Sequence, residues 1–195
     1  LTPGGRAGVV IPDKVLFEDN TGRRLRTWLM DLCDLHTILR LPTGIFYAQG
    51  VKTNVLFFQR GKSDKGNTKA VWVYDMRANM PAFGKTRPLT VADFVDFEKA
   101  YGADANGGAK RRDGGEDSRW RKFDRAAITG RNDNLDISWL RDTEAEAEDS
   151  LTEPEDIAAA IIGHLKAALE EIEMLSDELE SESLDDTSTV AEAAE

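Results

Sequence analysis

Cysteine is almost missing from this chain of 195 residues, which has only Cys33. Without a second thiol no intrachain disulfide can form, and a lone Cys suits a reducing compartment. The two histidines, His36 and His164, are far apart in sequence, so no Cys/His spacing for a metal centre exists either. Long hydrophobic runs are absent as well: none approaches the roughly 20 apolar residues that cross a bilayer, and no signal peptide opens the chain. These absences predict a cytoplasmic protein with no membrane partner. A Ser nucleophile elbow and a phosphate-cradling Gly-Lys-Ser/Thr loop are also lacking, which removes two large enzyme classes. Cys33 and His36 read as a core thiol and a helix-end imidazole, not as a nucleophilic pair.

Charge is present in quantity, and it is unevenly spread. Residues 1–130 carry 22 Lys and Arg against 15 Asp and Glu, whereas residues 131–195 carry 3 against 21. The overall net charge of −11 therefore averages a basic piece and an acidic one. The first can face nucleic acid through counterion release, and the second is repelled by phosphate.

The first 60 residues read as an α/β pattern. Thr2-Pro3-Gly4-Gly5 is a helix stop and turn, and residues 6–11 form a continuous apolar run, as expected of a strand buried on both faces of a parallel sheet. Asn20 or Thr21 caps a predicted helix over residues 22–34, with Leu25, Leu29 and Leu32 at helical spacing. Residues 35–41 are again apolar, which completes a βαβ crossover, and residues 54–59 make the next strand. About a dozen residues join those two strands, longer than an ordinary hairpin loop and so a candidate for function. Residues 70–76 look like an added strand, 90–101 like a short amphipathic helix, and 102–118, with five Gly, like a mobile loop. Trp120, Phe123, Ala127 and Ile128 recur at helical spacing. Pro154 suits the first turn of a helix reaching residue 182. There Ile161, Leu165, Ala168, Ile172, Leu175 and Leu179 form a narrow heptad seam that needs a partner helix.

Three blocks, PGGRAGVVIPDKVLF, then LRTWLMDLCDLHTILRLPTGIFYAQGVKTNVLFF, then VWVYDMRANMPAFGK, resemble the C-terminal half of the modification (methyltransferase) subunit of type I restriction-modification systems. The resemblance runs from Leu1 to about Leu140. It implies N6-adenine methylation of DNA with S-adenosylmethionine, in complex with a specificity subunit, and with a second modification subunit and a restriction subunit. The implied fold is the C-terminal half of a Rossmann-like sheet, with residues 54–59 inserted antiparallel, followed by a helical C-terminal arm. The implied division is a closing part of the catalytic domain at 1–101, a flexible Gly-rich loop at 102–118 and an extension with an acidic linker at 119–150. An amphipathic helix at 151–182 and a disordered tail at 183–195 follow.

Two elements of the family pattern do not occur: the cofactor-binding Gly loop, and the Asn-Pro-Pro-aromatic tetrapeptide that orients the adenine amino group. Both are expected before Leu1, which makes this chain a C-terminal portion, inactive by itself, with the cofactor bound mainly by the preceding region. An uncovered apolar face on the visible sheet is a further expectation.

An extruded base needs an aromatic face to rest on. By resemblance Phe46 and Tyr47 occupy that position; packing of both rings beneath the loop is the alternative. Lys52, Thr53 and Asn54 stand where bases or phosphate would be hydrogen-bonded, and turn capping explains them as well. Asp13 reads as a cap at the carboxyl edge, where open α/β sheets bind ligands. Arg119-Trp120-Arg121-Lys122-Phe123 and Lys110-Arg111-Arg112 could meet DNA, or serve as an amphipathic helix face and a solvated run. Ile161, Leu165, Ile172, Leu175 and Leu179 are assigned to the specificity subunit. The rival reading is a noncatalytic module, a Rossmann-like remnant presenting its terminal helix.

Overall fold

β-Branched and aromatic residues concentrate in five short runs, and in the computed structural model these runs pair into one mixed sheet. The structure describes residues 1–46, 51–81, 83–84 and 87–140, and beyond them only 162, 165, 168, 169 and 172. The strands are β1 (Arg6–Pro12), β2 (Cys33–Arg40), β3 (Thr53–Arg60), β4 (Ala70–Asp75) and β5 (Trp120–Asp124), in the spatial order β1-β3-β2-β4-β5. β3 runs antiparallel to both β1 and β2, so those two are parallel to each other but not neighbours. β4 adds parallel to β2, and β5 closes antiparallel on β4. The expected crossover is thus real, and the expected antiparallel insertion fills the gap it leaves.

Main-chain geometry explains why β2 sits at the centre. Seven of its eight residues are buried, as both faces are covered. His36 occupies a β-bulge, since Leu35 pairs with Phe58 and Thr37 with Phe57. The extra residue lets Leu35 and Ile38 point to one face although they are three apart. That face packs Leu16, Met30, Leu56, Val71, Val73, Ile128, Leu135 and Ile137. The opposite face packs Leu39, Leu41, Tyr74, Met76, Phe97 and Trp120.

Among the described residues of the first unit, the α-helices beside the sheet are α1 (Lys14–Phe17), α2 (Thr21–Leu32), α3 (Val95–Tyr101) and α4 (Arg125–Gly130). α2 stops at Leu32, earlier than the hydrophobic pattern predicts, because Cys33 already belongs to β2. Asn20 takes the N-cap position with φ of 57°, without a side-chain capping bond. A capping box does form before α3, where Thr90 and Asp93 bond reciprocally. The buried stripe of α2 is Gly22, Arg26 and Met30, so Leu25 is not the core residue its spacing implied. It is 53% exposed and Trp28 62%, and β1, an edge strand with one pairing partner among the described residues, exposes Val9 and Val10. The exposed apolar side chains thus lie on α2 and at the β1 edge and not on one uncovered sheet face, and β1 is an exposed antiparallel edge, not a doubly buried parallel strand.

Two segments depart from the sequence reading. Trp120 and Phe123 lie in a strand, which places them on opposite faces of the sheet; α4 begins only at Arg125. In the Gly-rich stretch 102–118, Arg111 is drawn under the sheet face, donating to Thr37 Oγ1 at 3.0 Å and Tyr101 O at 3.1 Å. Its guanidinium carbon lies 4.7 Å from the Tyr101 ring centroid, with Trp120 and Trp72 a little farther. Gly107, at φ of 74°, allows the loop to approach, because a Cβ there would fall 2.4 Å from His36 Nδ1.

Residues Leu1–Asp142 form one compact unit and Thr143–Glu195 a second. In the second, Ile162, Leu165, Leu169 and Ile172 are helical and more than half exposed. The candidate seam residues Leu165 and Ile172 are among these, while Ile161, Leu175 and Leu179 lie outside the described residues, as does the 183–195 tail. Among the described residues no helix is long and apolar enough to cross a membrane, and no cluster of His, Cys, Asp and Glu could hold a metal ion.

Arg26 fastens the α1–α2 layer to the segment after α4, since its guanidinium donates to the carbonyls of Asp133 at 2.7 Å, Val15 at 2.9 Å and Glu18 at 2.8 Å. Replacing Arg26 with Met strands those acceptors and is expected to cost about 3 kcal/mol in urea unfolding. An unchanged midpoint would show that the layer is held by apolar contact alone.

Candidate functional site at the carboxyl edge of the sheet

β1, β2 and β4 all run the same way, so their carboxyl ends, Pro12, Arg40 and Asp75, gather at one edge beside Thr53, where β3 begins. Open sheets bind ligands at such an edge because the loops leaving parallel strands meet there. The loop joining β2 to β3 rises from this edge. Leu41 N donates to Thr53 O at 3.1 Å and closes its base. Gly44, at φ of 80°, is pressed against the Phe83 carbonyl, which a Cβ would strike at 1.9 Å. Ile45 packs down into the second core cluster, while Phe46 is 44% exposed. Tyr47 lies outside the described residues. One member of the aromatic pair thus faces solvent.

Beneath the loop is a set of charged side chains of which the sequence reading singled out only Asp13. Arg77 Nη1 and Nη2 donate to the two carboxylate oxygens of Asp13 at 2.8 and 2.7 Å. Its Nε donates to Leu41 O at 2.9 Å and Nη2 to Thr53 O at 2.6 Å, with a longer contact of 3.2 Å to Asn54 Oδ1. Asn54 Nδ2 donates to Asp13 Oδ1 at 2.6 Å. The turn that delivers Arg77 is fixed by Asp75, whose Oδ1 accepts from the backbone N–H of Arg77 and Ala78 at 2.7 and 3.0 Å. Arg40 stands 3.6 Å from the other Asp75 oxygen and 3.3 Å from Asp136.

This geometry redistributes the residues singled out from sequence. Asn54 is fully buried and its amide is engaged by Asp13 and Arg77, because the β3 register turns it inward between β1 and β2. Thr53 is buried, and its hydroxyl has no hydrogen-bond partner among the described residues. Lys52 is exposed, and its carbonyl accepts from Asp13 N at 2.9 Å. Asp13 stands at the N-cap position of α1 but makes no capping bond; its carboxylate is a counter-ion instead. Trp120 is stacked on Trp72 at 5.2 Å, and Arg121 lies over Phe123 at 5.3 Å, so the basic-aromatic run is committed to packing. The missed signal was the charge of Arg40, Asp75 and Arg77 at the ends of otherwise apolar runs.

S-adenosylmethionine finds no fit among these side chains. Asp13 takes both nitrogens of the Arg77 fork, and Asp75 is buried against Arg40 and two backbone N–H groups, so neither carboxylate is presented to ribose hydroxyls. The β1–α1 turn, Pro12-Asp13-Lys14, has no glycine to let a cofactor approach the backbone.

Electrostatics make the edge and the bulge sensitive to acid. Burial pushes the Asp13 carboxyl up, but the hydrogen bonds from Arg77 and Asn54 and the charges of Arg77 and Arg40 outweigh it and leave the group below 3.8. A carboxylate depressed in the fold stabilises above its unfolded pKa and loses that contribution as pH falls through the folded value. His36 behaves in the same direction for a different reason. Burial, with the nearby Arg111 charge, lowers its pKa from 6.5 to about 4, against a weaker opposing pull from Asp104. Between those values the unfolded chain binds a proton that the fold refuses, so stability drops as pH falls. The full drop is on the order of 3 kcal/mol. Thermal unfolding followed from pH 7 to 4 is expected to show this loss in the wild type and a much flatter profile in His36→Gln. Equal slopes in the two would remove His36 as the cause.

Comparison with known proteins agrees with this architecture. The family model described as N-6 DNA Methylase matches residues 1–149. The type I restriction enzyme EcoKI methylase subunit of Escherichia coli (strain K12) is 50% identical over 208 aligned positions, covering 92% of this chain and 39% of the relative. The EcoEI methylase subunit of Escherichia coli is 34% identical, with 88% and 35% covered. The crystal structure of the EcoKI M protein superposes with a TM-score of 0.70 at 48% identity, over 92% of this chain and 42% of that one. A modification subunit of a putative type I restriction enzyme from Vibrio vulnificus matches at a TM-score of 0.50 and 28% identity, over 65% of this chain. The chain spans about two fifths of the length of the EcoKI subunit. With three quarters of its length matched by the family model and half of its aligned residues identical to a type I methylase subunit, the chain belongs to the N-6 DNA methylase family.

Proposed function

We propose that this chain is the target-base side of a type I methylase subunit, which transfers a methyl group from S-adenosylmethionine to adenine N6 in DNA. The observation that carries the reading is the β2–β3 loop, raised at the carboxyl edge of the parallel strands with Phe46 facing solvent. An adenine amino group cannot be reached inside a duplex, and a base turned out of its stack is stabilised against an aromatic ring. Phe46, with Tyr47, would supply that ring. Lys52 is exposed on the second stem of the same loop and would meet the DNA backbone; Thr53 and Asn54, turned inward, would act by shaping the floor of the loop.

In this reading the cofactor is bound by parts of the full subunit outside these residues, and this segment does not transfer methyl groups alone. Residues 1–101 close the catalytic domain, 102–118 form its Gly-rich loop, and 119–150 extend it. The helix over 151–182 would join the specificity subunit through Ile161, Leu165, Ile172, Leu175 and Leu179, in a cytoplasmic assembly with a second modification subunit and a restriction subunit. Exposure of Leu165 and Ile172 favours that role, and it equally suits the second reading, a noncatalytic module whose helix is its whole purpose.

A methylation assay on the full-length subunit with its specificity partner separates the two. Changing both Phe46 and Tyr47 to Ala is expected to reduce adenine methylation at least about tenfold while cofactor affinity holds. Equal losses in both would indicate a collapsed fold, and no methyl transfer by the intact complex would favour the module. Ile172→Asp with Leu175→Asp is expected to abolish co-elution with the specificity subunit in gel filtration; an unchanged complex would refute that contact.

A further inference from the structure

We infer that Arg77 is a positioning residue for the target base: its guanidinium clamps both stems of the β2–β3 loop and so fixes where Phe46 stands. This rests on the base-side reading of the loop. Leu41 is the last residue before the loop and Thr53 the first after it, and the same guanidinium donates to both carbonyls, at 2.9 and 2.6 Å. No other side chain among the described hydrogen bonds spans the two stems in this way.

The clamp is itself held rigid. Asp13, at the end of β1, takes two parallel bonds from Arg77, the planar pairing that restrains a guanidinium in position and orientation. Asp75, at the end of β4, holds the backbone of Arg77 and Ala78, and Arg40, at the end of β2, stands against Asp75. β1, β2, β3 and β4, which end or begin at this edge, therefore each contribute a group to the placement of one guanidinium. Only 11% of the Arg77 side chain is exposed, so water cannot readily replace these bonds. Gly44 also lies close against the Phe83 carbonyl, an approach that a Cβ would not permit.

A lysine could keep the charge opposite Asp13, but a single ammonium has no planar fork with which to reach the carboxylate and two carbonyls at fixed angles. Arg77→Lys thus separates charge from geometry. The catalytic consequence follows from orientation: a misplaced aromatic face holds the extruded base off the line of transfer, and displacements near 1 Å are enough to cost about 100-fold. Substrate and cofactor affinity, set elsewhere, should barely change.

The test uses the full-length subunit in complex with its specificity partner, on a duplex with 2-aminopurine replacing the target adenine for fluorescence and on the natural duplex for kinetics. For Arg77→Lys the expected results are kcat lowered about tenfold or more, KM for S-adenosylmethionine within twofold of wild type, and a 2-aminopurine signal altered from wild type as the extruded base loses its stacking. Amide hydrogen exchange should accelerate about tenfold at residues 43–46 and 51–52, but not in the centres of β2, β3 and β4. A Lys variant with wild-type kcat and exchange would overturn the clamp, because charge alone would then suffice. Exchange accelerated equally throughout the sheet would overturn it too, reducing Arg77 to a scaffold residue. If the Phe46→Ala, Tyr47→Ala variant keeps full kcat and full fluorescence, the base-side reading of the loop fails instead, and local exchange in Arg77→Lys alone decides whether the clamp exists.

Discussion

Placing β3 antiparallel between two parallel strands is the constraint from which the rest of this molecule follows. Because β1 and β2 run the same way, a chain that leaves β2 and returns between them must turn at their carboxyl edge. The β2–β3 loop has no other place to go, and the edge where it rises is the one where ligand-bearing loops of parallel strands collect. β1 leads directly into α1, and β4 into the turn that carries Arg77. The topology therefore brings Asp13, Asn54, Asp75, Arg77 and Arg40 together although they span more than sixty positions of sequence.

Buried charge is a costly way to join strand ends, and apolar residues could have joined them more cheaply. What the ion pairs add is direction. A guanidinium with a bidentate carboxylate partner has one favourable orientation, whereas packed methyl groups tolerate several. If the β2–β3 loop holds a base as proposed, its geometry matters more than its stability, which is a physical reason for polar construction at this edge and apolar construction in the two cores.

The opposite end of the sheet shows the same economy with different chemistry. The bulge at His36 realigns β2 so that its two faces serve separate cores, and it leaves an imidazole buried beside Arg111. Arg111 in turn lies among Tyr101, Trp120 and Trp72, which ties a Gly-rich segment to the sheet. Composition could not reveal this anchoring, since one residue of a Lys-Arg-Arg run among glycines and acids looks like any solvated charge.

Local pattern was enough to make the strands, the crossover helix and the long β2–β3 loop legible, because apolar runs, caps and glycine turns depend on near neighbours. The three motif blocks identified the family for the same reason: each is contiguous. Other features depended on contacts distant in sequence. Trp120 and Phe123 fit a helix by spacing until pairing with β4 made them a strand, and Leu25 matched a helical stripe whose buried face turned out to hold Arg26 and Met30. Asn54 and Asp13 looked like a base contact and a cap, and became partners of Arg77 only when β1, β3 and the turn after β4 were brought within hydrogen-bonding distance. The amino-acid order by itself determined four of the five strands, the crossover helix and the family they belong to. Only the tertiary structure decided which charges meet, since an ion pair forms between groups that folding brings together, whatever their distance along the chain.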